Sequence, residues 1–475
     1  MELRLVLKNA AALSVASVLA KTISAIVAII VTRYLGPGPF GEYSIALAFV
    51  GTFILFTDFG LSQLMVQDGS RDEQVLPVYV GNILLFKLLT CAAMYLAMIL
   101  FMGAYSRTVQ IMVLILGAAN GLNALHATVY NYFQAKQQMY KAAGYQFLTT
   151  FLIGALTLIV VVAHGDVVAI TVTHLAAYVL LTLLLYLALR REISWRLNLK
   201  RLPQMFRRGF AFGISYIFYN FYFQIAIVIL PLLHVANDVV GTYAAPYRLI
   251  SILLFIPGIL TSVLYPVLYQ LGVTSREKHQ ETIEKIFKVL SAVGIPGSAL
   301  LFVLAEPLLV WLFKGRFPDS VPIMMILSWF FALECLSYAL GDVLTTTDRQ
   351  WTRTWIQGIG AAGNIALNLF LIPRYGIYGA SWAAIATEIY IFVAYYWQVR
   401  TRVYDIRIWR QLPKIVIAAL VMAAVAWFLR FLQPMAAAAI AGIVYLGLLI
   451  ALDKDFRRLG AYTWRQARAW IPGRR

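Results

Sequence analysis

Charge is scarce in this sequence. Asp, Glu, Lys and Arg make up only 13% of its 475 residues, against about 25% in a typical soluble domain. That shortage excludes a solvated globular surface over most of the chain. Cysteine is almost missing: Cys91 and Cys335 both lie inside apolar runs. They cannot build a disulfide framework and are expected as small buried hydrophobes. The five histidines form no metal-ligand cluster, so no metal is expected. There is no GxxxxGK[ST] phosphate loop, which argues against direct ATP drive. No gap between apolar runs is long enough for a soluble catalytic domain, and no residue is assigned a catalytic role. The "DKD" of Asp453–Asp455 imitates a metal-binding glycosyltransferase motif. It stands at the end of an apolar run with no sugar-nucleotide domain to hold it, so that reading is rejected.

What is present in quantity is apolar sequence. Hydrophobic residues reach 61%, aromatics 14%, and the mean hydropathy is +0.78. These values describe a polytopic membrane protein, with Trp and Tyr to spare for interfacial belts. A spanning helix needs about 20 mostly apolar residues. About fourteen such spans can be drawn, over 11–33, 40–62, 78–102, 109–134, 144–164, 167–189, 208–232, 240–269, 286–312, 321–345, 353–373, 376–398, 412–430 and 434–452. Pro296 and Pro307 interrupt the ninth. The first resembles a signal peptide at its start, but its apolar stretch runs too long and carries Lys21, so a retained helix is expected.

The charge that remains is unevenly placed. With fourteen spans both termini lie on one side, and that side collects 29 of the 39 Lys and Arg residues while the other collects 6. The remaining four, Lys21, Lys87, Arg248 and Lys288, lie within spans or at their ends. The bias places both termini in the cytoplasm. It also accounts for most of the +18 net charge without a nucleic-acid partner. The longest gap, from Arg190 to Arg208, is a basic linker.

One phrase is written twice. "LGPGPFGEYSIALAFV" (35–50) and "VANDVVGTYAAPYRLI" (235–250) share Gly41 with Gly241 and Tyr43 with Tyr243. Gly41 opens the second span and Gly241 the eighth. "AHGDVVAITVTHLAAY" and "PRYGIYGASWAAIATE", before and in the sixth and twelfth spans, each place Gly in a short turn, then small residues and one polar residue, His174 or Glu388. Spans one to six thus recur as seven to twelve, a parallel repeat of the kind found in transporters with two six-helix halves. The expected organisation is an all-α membrane protein. It has an N-terminal six-helix lobe (1–190), a basic linker (191–207), a second lobe (208–398), two additional transmembrane helices (399–453) and a basic tail (454–475) on anionic lipid.

"LGPGPFGEYSIALAFVGTFILFTDFGLSQLMV" resembles the N-terminal signature of bacterial polysaccharide flippases, in which a "LGP–FG–Y" turn precedes a helix ending "D-(L/F)-G-L". These belong to the multidrug/oligosaccharidyl-lipid/polysaccharide exporter superfamily, and "IPRYGIYGASWAAIATE" is similar to its second-half turn. The resemblance implies a V-shaped fold of two six-helix lobes plus two helices. It implies transfer of undecaprenyl-diphosphate-linked oligosaccharide to the outer leaflet by alternating access, with polysaccharide polymerase or glycosyltransferases as partners. Lipid II flippases and cation-coupled drug exporters of the same superfamily are the rivals. The latter typically have twelve spans and a less basic lumen.

Ionisable residues within spans are functional candidates because burying them in lipid is costly. Lys21, Arg33, Lys87 and Arg248 are candidates for the diphosphate. In lipid II flippases basic residues of the first and eighth helices bind it, and Lys21 and Arg248 stand in similar places. Lys21 stands where that group often has Arg, whose fork makes the bidentate contact. Glu334 and Glu388 are candidates for H⁺ or Na⁺ coupling, or else buried partners of a cavity cation. Asp58, in the D-x-G motif, is expected to be structural. Asn120, Asn123, Asn131 and Gln134 share one helical face, and Tyr216, Tyr219, Asn220 and Gln224 follow similar spacing. These amides suit either sugar hydroxyls or helix–helix hydrogen bonds.

Overall fold

The computed structural model describes residues 2–189, 193–406 and 408–458. Side chains are described from Ser17 onward, apart from scattered positions mostly in the seventh and eighth expected spans. The described residues are helical with no strand. The helices are α1 (Glu2–Leu35), α2 (Pro37–Ile54), α3 (Leu61–Gly69), α4 (Leu76–Phe101), α5 (Arg107–Ala135), α6 (Met139–Val162), α7 (Val167–Leu189) and α8 (Leu202–Leu232). They continue with α9 (Asn237–Leu253), α10 (Phe255–Thr274), α11 (Arg276–Val303), α12 (Ala305–Phe313), α13 (Ser320–Thr346), α14 (Gln350–Arg402), α15 (Leu412–Phe428) and α16 (Pro434–Leu452). Among the described residues, 11 are long and apolar enough to cross a membrane, with α15 a shorter apolar helix.

Where the helices depart from the expected spans, proline and glycine explain it. The second span stops at Ile54 instead of 62. Phe59 (φ 46°) and Gly60 (φ 80°) take left-handed backbone, and α3 starts afresh. The eighth span divides into α9 and α10, because Pro257 has no N–H to give and its ring crowds the Leu253 carbonyl. Pro307 divides the ninth into α11 and α12 in the same way, against the carbonyl of Val303. Pro296 stays inside α11. The 53-residue α14 holds the eleventh and twelfth spans. It folds back at Gly376 (φ 55°), so that the Asn364 amide reaches the Ala383 carbonyl at 3.4 Å.

The chain packs as two compact units, one of residues 1–248 with 357–383, the other of 249–356 with 384–475. Within the first, Leu61, Leu64, Met65, Ile83 and Phe133 form one core. The linker is tied to it. Arg196 donates its N–H to the Pro77 carbonyl (2.8 Å), and Asn82 and Asn198 exchange two hydrogen bonds (2.9 and 3.0 Å). Within the second, α15 and α16 pack through Ala418, Ala419, Ala426, Ala437 and Ala441. Lipid supplies no hydrophobic drive between helices, so close approach of small residues supplies the contact instead.

Candidate functional site

The two copies of the repeated phrase meet in the first unit. A Cβ on Gly41 would collide with the carbonyl oxygen of Asn237, and a Cβ on Gly241 with that of Pro37. Each glycine therefore faces the carbonyl four residues before the other. Only glycine permits backbones to cross this closely. Glu42 braces the crossing by accepting from Asn237 Nδ2 (3.2 Å) and Ser106 Oγ (3.0 Å). Tyr34 donates to the Gly165 carbonyl at 2.9 Å. The connections at 36, 102–106, 163–166 and 233–236 thus gather at one end of this unit. The other end collects 58–75 and the linker, with Arg208 clamped bidentately on Asp68 (2.7 and 2.9 Å). That arrangement is what a parallel repeat of these helices requires.

The first unit also carries three of the candidate cations. Lys21 of α1 and Arg248 of α9 are exposed, and Arg33 is half-buried. Arg248 acts electrostatically on Lys21, and also on Tyr43 of α2 and His174 of α7. Tyr43 is buried, and its hydroxyl lies 2.9 Å from His174 Nε2. Arg248 thus acts on Lys21, and also on Tyr43 and His174, which the sequence reading uses only as markers of the repeat.

Lys87 does not join them. It is 1% exposed, and its Nζ lies 2.8 Å from Asp58 Oδ1, 2.9 Å from Ser62 Oγ and 3.0 Å from the Ala124 carbonyl. This buried cation, about three turns into α4, is held by the acid of the D-x-G motif, which also accepts from the Ser62 N–H at the start of α3 (3.3 Å). The expected substrate contact is therefore replaced by an internal ion pair, and Asp58 is half of it.

The amide face of α5 turns largely on itself. Asn120 donates to the Leu116 carbonyl (2.9 Å), Asn131 to that of Ala127 (2.7 Å) and Gln134 to the Tyr130 hydroxyl (2.9 Å). Asn123 is half-buried. Gln224 of α8 lies against Gly51 of α2. The side chains of Tyr216, Tyr219 and Asn220 lie outside the described residues.

In the second unit Glu334 and Glu388 are buried, 3% and 0% exposed, and both act electrostatically on Tyr395. Arg353, at the start of the eleventh expected span, also acts on Tyr395. Arg353 lies 3.6 Å from Asp342 and donates to Thr345 Oγ1 at 2.7 Å. Tyr265 donates to Asp342 Oδ1 at 2.6 Å. The signal was available: Asp342 and Arg353 stand equally far from the α13–α14 turn at Thr347 and Asp348, so the helical hairpin brings them level. Among the described residues no group of three or more His, Cys, Asp or Glu is arranged to hold a metal ion.

Two family models match the sequence: polysaccharide biosynthesis protein over residues 6–272 and lipid II flippase MurJ over 152–443. No curated protein sequence matches it. Among solved structures the chain is similar to a lipid II flippase MurJ in an inward closed conformation (TM-score 0.75, 15% identity, 93% of this chain and 99% of that one). It is also similar to an inward-facing multidrug resistance MATE transporter of the MOP superfamily (0.63, 16%, 79% and 93%). A third is a MOP superfamily transporter from Pyrococcus furiosus, described as having a binding pocket of reverse polarity (0.58, 15%, 82% and 93%).

Proposed function

This chain belongs to the polysaccharide biosynthesis and lipid II flippase families of the multidrug/oligosaccharidyl-lipid/polysaccharide exporter superfamily, and from that premise we propose that it moves undecaprenyl-diphosphate-linked oligosaccharide across the cell membrane by alternating access. The observation that carries this reading is the pairing of Lys21 with Arg248. Both cations are exposed on apolar helices, and Arg248 acts electrostatically on Lys21, so one anion can be attracted by both. A diphosphate supplies that anion, and its charge-assisted hydrogen bonds to ammonium and guanidinium are about twice as strong as neutral ones. The sugar is a polar head that hydrocarbon rejects, while the polyprenyl tail stays in lipid. A drug exporter for cations would find this site repulsive.

Both termini face the cytoplasm in this reading, on the side that holds the excess of Lys and Arg. Substrate is loaded there and released to the outer leaflet for cell-surface polysaccharide synthesis, handed between glycosyltransferases and a polysaccharide polymerase. Glu334 and Glu388 take H⁺ or Na⁺ if transport is ion-coupled. A second reading, transport of lipid II for peptidoglycan, is favoured by the family match over 152–443. It shares the diphosphate and differs in the head.

The test is flipping of a fluorescent undecaprenyl-diphosphate sugar in proteoliposomes, comparing wild type with Arg248→Ala. Wild-type flipping that collapses in the variant supports substrate class and site together. Flipping untouched by the substitution removes Arg248 from the site. A well-folded protein that flips lipid II but no oligosaccharide lipid moves the reading to peptidoglycan, and one that flips neither overturns it.

A further inference from the structure

The linker between the sixth and seventh spans carries three apolar residues spaced two apart, Trp195, Leu197 and Leu199. They are 63%, 53% and 57% exposed, and the function proposed so far gives them no part. Arg196, Lys200 and Arg201 stand among them and are exposed as well. We propose that this stretch is a docking surface for anionic phospholipid of the cytoplasmic leaflet. The three apolar side chains enter the boundary between headgroups and acyl chains, and the basic side chains meet lipid phosphates.

Hydrogen bonds to α4 fix the depth of this stretch. Arg196 donates its N–H to the Pro77 carbonyl (2.8 Å), and a Cβ on Gly81 would stand 2.4 Å from the Arg196 carbonyl oxygen. One linker residue thus touches α4 at two points a turn apart. Glycine inside a helix carries an entropic cost; here it lets the linker backbone come close. Asn82 is fully buried. Its Oδ1 accepts from the Asn198 N–H (3.0 Å) and its Nδ2 donates to the Asn198 carbonyl (2.9 Å), so a side-chain amide pairs with the linker backbone. Ile193 packs on the core of the same unit. The linker is therefore seated against the first two turns of α4, as far as Asn82. Those turns belong to a helix long and apolar enough to cross a membrane. From Pro77 to Asn82 the helix rises about 7 Å, roughly the thickness of one headgroup layer.

The chemistry of the surface names its occupant. At that depth a tryptophan ring has its preferred surroundings, apolar on one side and wet on the other. Leu197 and Leu199 leave water there, which the hydrophobic effect favours. Lys and Arg beside a bilayer are drawn to anionic headgroups, and their long stems let the charged ends reach phosphates while the backbone lies lower. The described acids at this end of the unit are engaged within the protein. Asp58 holds Lys87 at 2.8 Å, Asp68 holds Arg208 at 2.7 Å and Glu73 faces Lys136 at 3.7 Å. Asp72 accepts from the Gln74 N–H at 2.9 Å. The charge that residues 195–201 present is thus positive, the complement of an anionic leaflet. A surface held at the level of the headgroups meets lipid before it meets a protein.

The experiment is tryptophan quenching of the full chain in phosphatidylcholine nanodiscs that contain phosphatidylglycerol, with bromine on the acyl chains of one lipid or the other. The emission of wild type less that of Trp195→Phe isolates Trp195. It is expected to be quenched several-fold more strongly by brominated phosphatidylglycerol than by brominated phosphatidylcholine at equal mole fraction. Changing Lys200→Gln and Arg201→Gln together should make the two lipids equal while some quenching by each persists. High salt should do the same to wild type, and it provides the test if the double variant does not fold. Trp195 emission that iodide in water quenches and neither brominated lipid touches overturns the inference, because the linker then faces solvent or a protein. Equal quenching by the two lipids in wild type also overturns it, because insertion then occurs without headgroup recognition. No flipping is measured, so failure here leaves the substrate reading as it stands.

Discussion

Gly41 and Gly241 sit across from one another in the first unit, each pressed on the carbonyl four residues before the other, Asn237 for Gly41 and Pro37 for Gly241. The repetition of "G-x-Y" at the start of two helices is thus a contact, in which two similar helix starts cross about a local pseudo-twofold. A methyl group at either position meets backbone, which cannot turn aside as a side chain can. We expect Gly41→Ala and Gly241→Ala each to lower stability by about 2 kcal/mol or more. The double variant should cost less than the two combined, since one separation of the helices relieves both collisions. Thermal unfolding in detergent, followed by loss of the monodisperse peak, measures this. Alanine variants that unfold with wild type would show that the helices do not cross here.

Lys87 and Asp58 predict an asymmetric pair of costs. The Lys87 side chain is 2% exposed and that of Asp58 32%. Removing one partner of a buried pair costs about 3–5 kcal/mol because the other charge is stranded. Asp58→Asn strands a fully buried ammonium, whereas Lys87→Met strands a carboxylate that reaches water and keeps its Ser62 contacts. Asp58→Asn should therefore be the more damaging, and adding Lys87→Met to it should restore stability. Melting temperatures of the two single variants and the double variant decide; additive losses would dissolve the pair.

Most of the helical layout was legible because a membrane span announces itself by length and apolarity, and each of the fourteen expected spans holds a helix or a broken pair. The errors fall where backbone chemistry beats hydropathy: Pro257 and Pro307 cut spans that read as continuous, and Phe59–Gly60 end α2 early. The site was legible in part. Lys21 and Arg248 stood out because a charge in an apolar run is conspicuous. Lys87 was equally conspicuous, but nothing in one dimension shows that it meets an acid 29 residues away. Arg353 drew no attention because it stands at the very edge of the eleventh span, where a cation is expected to reach the interface. Tyr43 and His174 were missed as a pair because residues 131 apart meet only when α2 and α7 pack.

Asp68 offers a pH dependence outside the spans. Burial works to raise its pKa. Hydrogen bonds from Arg208 and Tyr79 outweigh that and hold the carboxyl below the usual range. A carboxyl with a lower pKa in the folded than in the unfolded chain contributes stability that is present in full above the unfolded value, about 3.9. That contribution is lost as pH falls through the lower folded value. Arg208 is 46% exposed, so screening limits the contribution to about 1 kcal/mol. Wild type should thus lose its advantage over Asp68→Asn only below about pH 4, and the gap should narrow in high salt. Melting curves of both proteins from pH 3 to 7 check it; a gap that widens on acidification would reverse the assignment.

Lys21 and Arg248 should behave as one site. Each hydrogen bond from a charged group is worth about 1.5–3 kcal/mol, so Arg248→Ala and Lys21→Ala should each slow flipping about tenfold or more. Arg248→Lys should recover only part, because an ammonium lacks the bidentate fork, and Lys21→Arg should be tolerated. The double alanine variant should lose less than the product of the single losses, since the first loss already loosens the diphosphate. It should also be less sensitive to ionic strength than wild type. Initial flipping rates of wild type and the five variants at two salt concentrations test this. Independent, multiplicative losses would mean that the two cations touch different parts of the substrate, and Lys21 would then be reassigned to the sugar or the lipid surface.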